Sequence, residues 1–539
     1  MSGGDAVVRS LMAHGIASIY CLPGVQSDHL FNALFDAGDG INAVHTRHEQ
    51  GAAYMALGAA LATGRPAAYS VVPGPGFLNS TAALATAQST GAKVLALIGQ
   101  IPSRRIGKGR GYLHEIPDQL GILRTLTKWA DRVERPADAP GLVARAFHEL
   151  ASGRVRPVGL ELPPDMLARQ EEVELVAPLP AEPPAPLDED AIAQAAAALD
   201  AAECPLIFVG GGALDAAPEV RALAERLTAP VVGYRRGKGV LDNRHVLSHA
   251  LPAGHALWAE ADVVLAVGTR MFIPFGAWGT DDKLKIIKVD IDAAEHDRWP
   301  VPVTGLTGDA AAILRRLDGH LGHHAPMDAK RVAASRALKA RVADDLAGLG
   351  VMRDYLQAIR DVLPDDGVLV DELTQVGYAA RVAYEARGPR TYVSSGYQGT
   401  LGWGLATALG AKHALGKTPV VSITGDGGFM FNVQELATAV RHRIPLVVVL
   451  FNDGAYGNVR NMQRHDHGNR VIATDLANPD FMRLAASFGI GGYRASDPGG
   501  LRVALERALA QDEPALIEVP CGTLPDPWRF IDLPKVRGV

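Results

Sequence analysis

Short, unbroken apolar runs recur along the first 165 residues, at Ser18–Leu22, Ala67–Val72, Val94–Gly99 and Val158–Leu162. None shows strict polar–apolar alternation, so each reads as a strand buried on both faces. Alanine-rich segments lie between them, and Gln50–Thr63 reads as a helix. Strands buried on both faces and separated by helices specify a parallel sheet covered on each side.

The pattern returns twice. Leu206–Val209, Pro230–Gly233, Val263–Val267 and Ile286–Ile291 form a second set of runs. Gly367–Asp371, Pro419–Thr424, Leu446–Phe451 and Ala515–Val519 form a third. A chain of 539 residues also exceeds what one hydrophobic core sustains, roughly 250–300 residues. The expectation is an α/β protein with three doubly wound parallel-sheet domains, at 1–170, 188–320 and 350–525. Two spacers divide them. Ala177–Pro186 reads APLPAEPPAP, with five prolines, and proline favours extended chain without backbone donors. Gly319–Pro326 is histidine-rich. It has no neighbouring carboxylates and reads as a solvated connector rather than a metal site. Gly210-Gly211-Gly212 looks like the start of a nucleotide turn, but Asp215 occupies the sixth position of GxGxxG. A plain strand–helix turn is the better reading.

Composition excludes several partner classes. The formal net charge is −6 with no basic stripe, which argues against nucleic acid and anionic membrane. Runs such as Pro445–Phe451 are too short to span a bilayer. The N-terminus lacks a basic segment followed by an apolar run, so the expected location is cytoplasmic. Cys21, Cys204 and Cys521 lie far apart, which disfavours a disulfide framework or structural zinc.

The chemistry concentrates in Pro419–Asn458. A buried run ends in Gly425-Asp426-Gly427-Gly428, a helix is expected over Asn432–Arg441, and a second run ends in Asn452-Asp453-Gly454. Neighbouring parallel strands deliver Asp426 and Asn452 to one carboxyl edge, where open α/β sheets bind ligands. A carboxylate, an amide oxygen and a backbone carbonyl are hard ligands suited to magnesium, which keeps its other positions for water and phosphate. The glycines admit a phosphate, and a helix N-terminus after Gly428 favours an anion.

This stretch resembles the motif of thiamine-diphosphate-dependent enzymes, GDG followed by N, here with 24 residues between Gly427 and Asn452. Two further segments agree. His48-Glu49-Gln50-Gly51-Ala52 resembles the segment that carries the cofactor-activating glutamate of the acetolactate synthase branch, although Glu49 alone reads as a helix N-terminal carboxylate. Ser395–Gly404 resembles the segment whose backbone carbonyl and bulky apolar residue hold the cofactor bent, which implicates Gly399 and Leu401. Cys21-Leu22-Pro23-Gly24 and Gly74-Pro75-Gly76-Phe77-Leu78-Asn79 match active-site loops of the same family. The resemblance runs through nearly the whole chain in order.

It implies thiamine diphosphate and magnesium as cofactors, and a 2-oxo acid or related carbonyl compound as substrate. The resemblance also implies a site shared between subunits of a homodimer or homotetramer. Carried over residue by residue, the cofactor contacts are Pro23, Gly24, Glu49, Pro75 and Asn79 in the first domain. In the third they are Thr374, Gln375, Gly399, Leu401, Gly425, Asp426, Gly427, Gly428, Asn452, Tyr456 and Gly457. Asp426, Asn452 and Gly454 are the implied metal ligands.

Three positions depart from acetolactate synthase. Leu113-His114-Glu115 stands where the family has FQE, Pro274 replaces the arginine that clamps a second keto acid, and Met462 replaces a tryptophan. Proline cannot make a bidentate carboxylate clamp. His114 becomes a candidate catalytic residue, because histidine exchanges protons near neutral pH. A pocket-lining histidine with a structural bond is the competing reading. His255, Trp278, Tyr456 and Met462 are further pocket candidates. The flavin loop of some relatives is reduced near Leu251-Pro252-Ala253-Gly254, so flavin adenine dinucleotide is not expected. The resemblance implies an acetolactate synthase-like 2-oxo acid decarboxylase or carboligase, against which stand a diketone-cleaving hydrolase, a flavin-dependent oxidase and a non-catalytic cofactor-binding relative.

Overall fold

A computed structural model describes residues 1–322 and 326–538. It contains three six-stranded parallel sheets. The first uses β1 (Ser18–Cys21), β2 (Asn42–His45), β3 (Ala67–Val71), β4 (Val94–Gly99), β5 (Trp129–Arg132) and β6 (Val158–Leu162). The second uses β7 (Pro205–Val209), β8 (Val231–Gly233), β9 (Ser248–His249), β10 (Val263–Val267), β11 (Lys285–Asp290) and β12 (Thr304–Thr307). The third uses β13 (Val368–Val370), β14 (Tyr392–Val393), β15 (Val420–Gly425), β16 (Val447–Asn452), β17 (Gly491–Arg494) and β18 (Ala515–Pro520).

The first and third sheets share one topology. Their orders are β2-β1-β3-β4-β6-β5 and β14-β13-β15-β16-β18-β17. The helix that follows β2, Glu49–Thr63, therefore corresponds to the helix that follows β14, Trp403–Leu415. Both are buried nearly all round, from Gly51 to Ala62 and from Trp403 to Lys412. A helix apolar on every side belongs between layers, and these two pack on each other. A Cβ added to Gly58 would lie 1.8 Å from the Thr407 carbonyl oxygen. One added to Gly410 would lie 1.9 Å from the Met55 carbonyl oxygen. The contact is thus backbone against backbone. Because 58 meets 407 and 55 meets 410, the helices run antiparallel.

The spacer over 177–186 has no regular structure and is exposed. The second spacer is shorter than expected. Gly319 and His320 end the Ala310–His320 helix, and His320 Nε2 lies 3.6 Å from Glu189 Oε2, so a carboxylate is present after all. His323, His324 and Ala325 lie outside the described residues. Gly210–Gly212 forms a tight turn into a 3-10 segment, Gly211–Ala216.

The helix contact yields a stability prediction. Gly410→Ala places a methyl against backbone that cannot yield, at a cost of about 1–3 kcal/mol, and lowers the thermal midpoint. Gly319→Ala, with nothing within 4 Å of its added Cβ, leaves the midpoint unchanged or raises it. Thermal unfolding of both variants checks this.

Candidate active site

The carboxyl edge of the first sheet gathers one group of expected residues. Cys21 pairs with His45 and with Ser70, so β1, β2 and β3 end level. Glu49 is the first residue of its helix, where the dipole favours a carboxylate. Its Oε2 accepts a hydrogen bond from Asn79 Nδ2 at 3.0 Å. A Cβ on Gly76 would lie 3.4 Å from Glu49 Oε1, and one on Gly24 would lie 2.4 Å from Val72 Cγ1. The loops carrying Pro23-Gly24 and Pro75 are therefore pressed together beside Glu49. His114 joins them, since a Cβ on Gly74 would fall 2.4 Å from its carbonyl oxygen. His114 Nδ1 is 2.5 Å from Oε1 of Gln26, a residue that sequence reasoning missed. Glu115 has a structural task. It accepts the backbone N–H groups of Gly109 at 3.0 Å and Tyr112 at 2.9 Å.

The third sheet gathers the rest. Gly425 pairs with Phe451, so Asp426 and Asn452 leave neighbouring strands side by side. Asn452 Nδ2 donates to Glu518 Oε1 at 2.9 Å, which turns Asn452 Oδ1 toward Asp426. The Asn478 amide nitrogen bridges the pair, 2.6 Å from Asp426 Oδ2 and 3.1 Å from Asn452 Oδ1. A positively polarised donor thus sits between the two oxygens, as a cation would. The Gly454 carbonyl accepts Leu476 N–H at 2.9 Å and keeps one lone pair for a metal. Burial and the Asp426 charge push neighbouring Asp453 up to about 6.

The surroundings fit a diphosphate. Gln375 is buried, and both its side-chain amide atoms lack partners, which is costly unless a ligand or water satisfies them. A Cβ on Gly425 would lie 3.2 Å from Thr374 Oγ1, one on Gly427 2.6 Å from the Tyr456 ring and one on Gly428 2.7 Å from Glu372 Oε1. Gly457 is equally constrained, 2.1 Å from Asp453 Oδ2. Gly399 is exposed and Leu401 half-buried.

Glu372 is a further residue missed from sequence. It is fully buried and accepts Thr424 Oγ1–H at 2.6 Å and the Gly402 N–H. Burial raises its carboxyl to about 7. The available signal was an acidic pair, Asp371-Glu372, directly after an apolar run.

Several expectations are corrected. The helix expected over Asn432–Arg441 is a 3-10 turn, Val433–Glu435, followed by a short helix, Leu436–Arg441, and a separate helix, Asp426–Phe431, precedes it and begins on the aspartate itself. The break comes at Asn432, whose Nδ2 is drawn to the Gly402 carbonyl. Trp278 lines no pocket, because it is wholly buried against Trp258 and Phe208. His255 bonds the Pro534 carbonyl at 2.8 Å and holds the C-terminal tail. Met462 is 50% exposed on the Gly457–His465 helix, and Pro274 is buried at the start of a π-helical turn.

The two groups lie toward opposite ends of the helix contact, although Glu435 of the third domain accepts the Arg47 N–H at 3.2 Å, two residues before Glu49. Extending the antiparallel helix register sets Trp403 level with residue 62, so Glu49 and Trp403, each first in its helix, are roughly 20 Å apart along the axis at 1.5 Å per residue. Among the described residues, no hydrogen bond or ion pair joins Glu49 to Asp426 or Asn452.

Two outcomes follow. Glu518→Met frees the Asn452 amide and weakens magnesium-dependent cofactor binding about tenfold, read by titrating magnesium against thermal midpoint. Glu372 binds more protons folded than unfolded between its ordinary value and about 7. Its contribution to stability is full below that window and is lost as pH rises through about 7. Glu372→Gln flattens this part of the pH–stability curve of the cofactor-free protein.

Models of the thiamine pyrophosphate enzyme family match three stretches: the N-terminal TPP binding domain at 1–122, the central domain at 192–317 and the C-terminal TPP binding domain at 374–519. A probable 2-ketoarginine decarboxylase of Pseudomonas aeruginosa is 34% identical over 96% of this chain and 94% of its own length. A probable acetolactate synthase large subunit of Methanocaldococcus jannaschii is 31% identical over 96% and 92%. The acetolactate synthase isozyme 3 large subunit of Escherichia coli is 30% identical over 95% and 92%. The paired half-sites, the three matched domains and this end-to-end similarity place the chain in one family. It belongs to the thiamine pyrophosphate enzymes, in the branch of acetolactate synthases and 2-oxo acid decarboxylases.

Proposed function

We propose that this enzyme is a magnesium-assisted 2-oxo acid decarboxylase that releases carbon dioxide and an aldehyde, with each site shared between two copies of the chain. The observation that carries the reading is the composition of the Glu49 edge. His114 packs its carbonyl on Gly74, two residues before the Gly76 that abuts Glu49, while in the central domain the position of the second-substrate arginine clamp is a buried proline. That arrangement suits protonation of the reacting carbon better than capture of a second keto acid.

Bound thiamine diphosphate supplies an electron sink next to the substrate carbonyl. The chain's own residues supply the rest. Asp426, Asn452 and the Gly454 carbonyl hold magnesium. Thr374, Gln375 and Gly425–Gly428 receive the diphosphate, with Tyr456 and Gly457 closing its side. Pro23, Gly24, Pro75, Asn79, the Gly399 carbonyl and Leu401 position the ring system. Glu49 would hold a hydrogen bond to the cofactor's pyrimidine, and His114 would supply a proton to the substrate.

A homodimer or homotetramer is supported by the separation of the half-sites in one chain. Large apolar side chains also stand exposed beside each half: Leu78 and Leu113 on one, Tyr397, Phe431 and Met462 on the other. The reading needs no flavin. In the central sheet's crevice Gly212 N–H reaches the Gly268 carbonyl at 3.1 Å, and Arg236 lies against Gly211. Among the described residues, no helix is long and apolar enough to cross a membrane, in keeping with a cytoplasmic enzyme.

The test is carbon dioxide release from a panel of 2-oxo acids with cationic, aliphatic and aromatic side chains, in thiamine diphosphate and magnesium. Turnover to an aldehyde is expected, reduced about 100-fold or more in Glu49→Gln. A hydroxyketone as main product would replace the decarboxylase reading with a carboligase. Cleavage of a diketone without carbon dioxide release would replace it with a hydrolase.

A further inference from the structure

We infer that Gln26 is a positioning residue that locks His114 in one tautomer and so presents its Nε2 to the reacting carbon. The inference rests on the decarboxylase reading for its functional half. Its structural half stands on hydrogen-bond logic alone.

Gln26 is 7% exposed. Its side chain touches two partners with opposite demands. One is the Leu113 carbonyl oxygen, 2.7 Å from Nε2. A carbonyl only accepts, so the amide nitrogen must face it. Oε1 is thereby turned to His114 Nδ1, at 2.5 Å. Oε1 also only accepts, so Nδ1 must carry a proton. A neutral imidazole protonated at Nδ1 has a bare Nε2. Among the described residues, no hydrogen bond engages that atom.

The backbone holds the ring from the other side. His114 has φ of +69°, a left-handed conformation that histidine adopts at a cost of about 1–3 kcal/mol. The cost is borne by a rigid support. The His114 carbonyl lies where a side chain on Gly74 would be. Gly74 N–H bonds Gln119 Oε1 at 2.8 Å. Gln119 Nε2 in turn donates to the Gly99 carbonyl and to buried Glu161 Oε1, each at 2.9 Å. Strain kept by a buried polar network at a candidate active site is characteristic of a side chain that must point one way.

The consequence for the reaction is a defined proton path. In the charged form of His114, Nε2–H gives its proton to the carbon that has lost carbon dioxide. The electron pair of the broken N–H bond stays on Nε2, and the neutral Nδ1–H tautomer that Gln26 selects remains. Nε2 then regains a proton from solvent. The opposite tautomer would offer no lone pair at Nε2 to reload.

The test reads the tautomer and the kinetics together, on the full-length protein with thiamine diphosphate and magnesium. Histidine labelled with nitrogen-15 reports which ring nitrogen carries hydrogen, and His114→Asn assigns the signal. The expected wild-type state is Nδ1–H. Gln26→Met keeps length without an acceptor. It should convert the ring to Nε2–H and lower kcat about 10- to 100-fold, with KM within about twofold. Gln26→Glu returns an oxygen opposite Nδ1 while giving up the donor to the Leu113 carbonyl, and should recover the Nδ1–H signal. The cofactor-induced rise in thermal midpoint should survive in each variant, which separates positioning from misfolding. An Nε2–H wild type, or an unchanged tautomer in Gln26→Met, overturns the inference whatever the activity. An altered tautomer with unchanged kcat overturns its functional half. An Nδ1–H wild type that releases no carbon dioxide from any 2-oxo acid sinks the decarboxylase reading and leaves the tautomer lock standing.

Discussion

The backbone contact between Gly58 and Thr407, repeated between Gly410 and Met55, is the constraint on which the rest depends. It lets two alanine-rich helices approach without side chains between them. It also joins two sheets of identical strand order through corresponding helices. Because the helices are antiparallel, the residues at their N-termini are driven apart. Glu49 sits at one end and the Gly399–Gly402 segment at the other. Within one chain no hydrogen bond or ion pair among the described residues joins Glu49 to Asp426 or Asn452, and a site completed by a second copy is the proposed arrangement.

Each half is prepared by interactions that do not touch the cofactor. Glu518 holds the Asn452 amide, so that the oxygen and not the nitrogen faces Asp426. Asn478 supplies a donor between those oxygens. Glu372 lies against Gly428, bonded to Thr424 and Gly402. On the other half, Asn79 holds Glu49 and Gln26 holds His114. Such supporting groups set the orientation and basicity of the groups they touch, and a looser support costs affinity or rate without removing a ligand.

Much of this was legible in the sequence, and the limits were physical. The buried runs marked the main strands to within a residue or two, because a strand covered on both faces has no polar positions to blur it. Short edge strands such as β14 and β17 carry no such signal. Asp426 and Asn452 were legible because each ends a run, and strand register does the rest. Gln26, Asn478 and Glu518 were not, since each acts on a residue 26 to 88 positions away, or 66 in the case of Glu518. The break at Asn432 depends on a carbonyl 30 residues distant. Trp278 looked like a pocket residue because large aromatics serve cores and pockets alike, and only burial separates the uses. The antiparallel helix contact left no local trace beyond small residues, which many helices contain.

The most direct test of a shared site is complementation. Glu49→Gln and Asp426→Ala each disable one half, so each variant alone should be inactive on the 2-oxo acid that the wild type decarboxylates. Mixed and allowed to exchange subunits, they form hybrids with one intact site, made from the first domain of one chain and the third of the other. With random pairing about a quarter of wild-type activity should return. A mixture that exchanges subunits and stays inactive would place each site within a single chain and contradict the account.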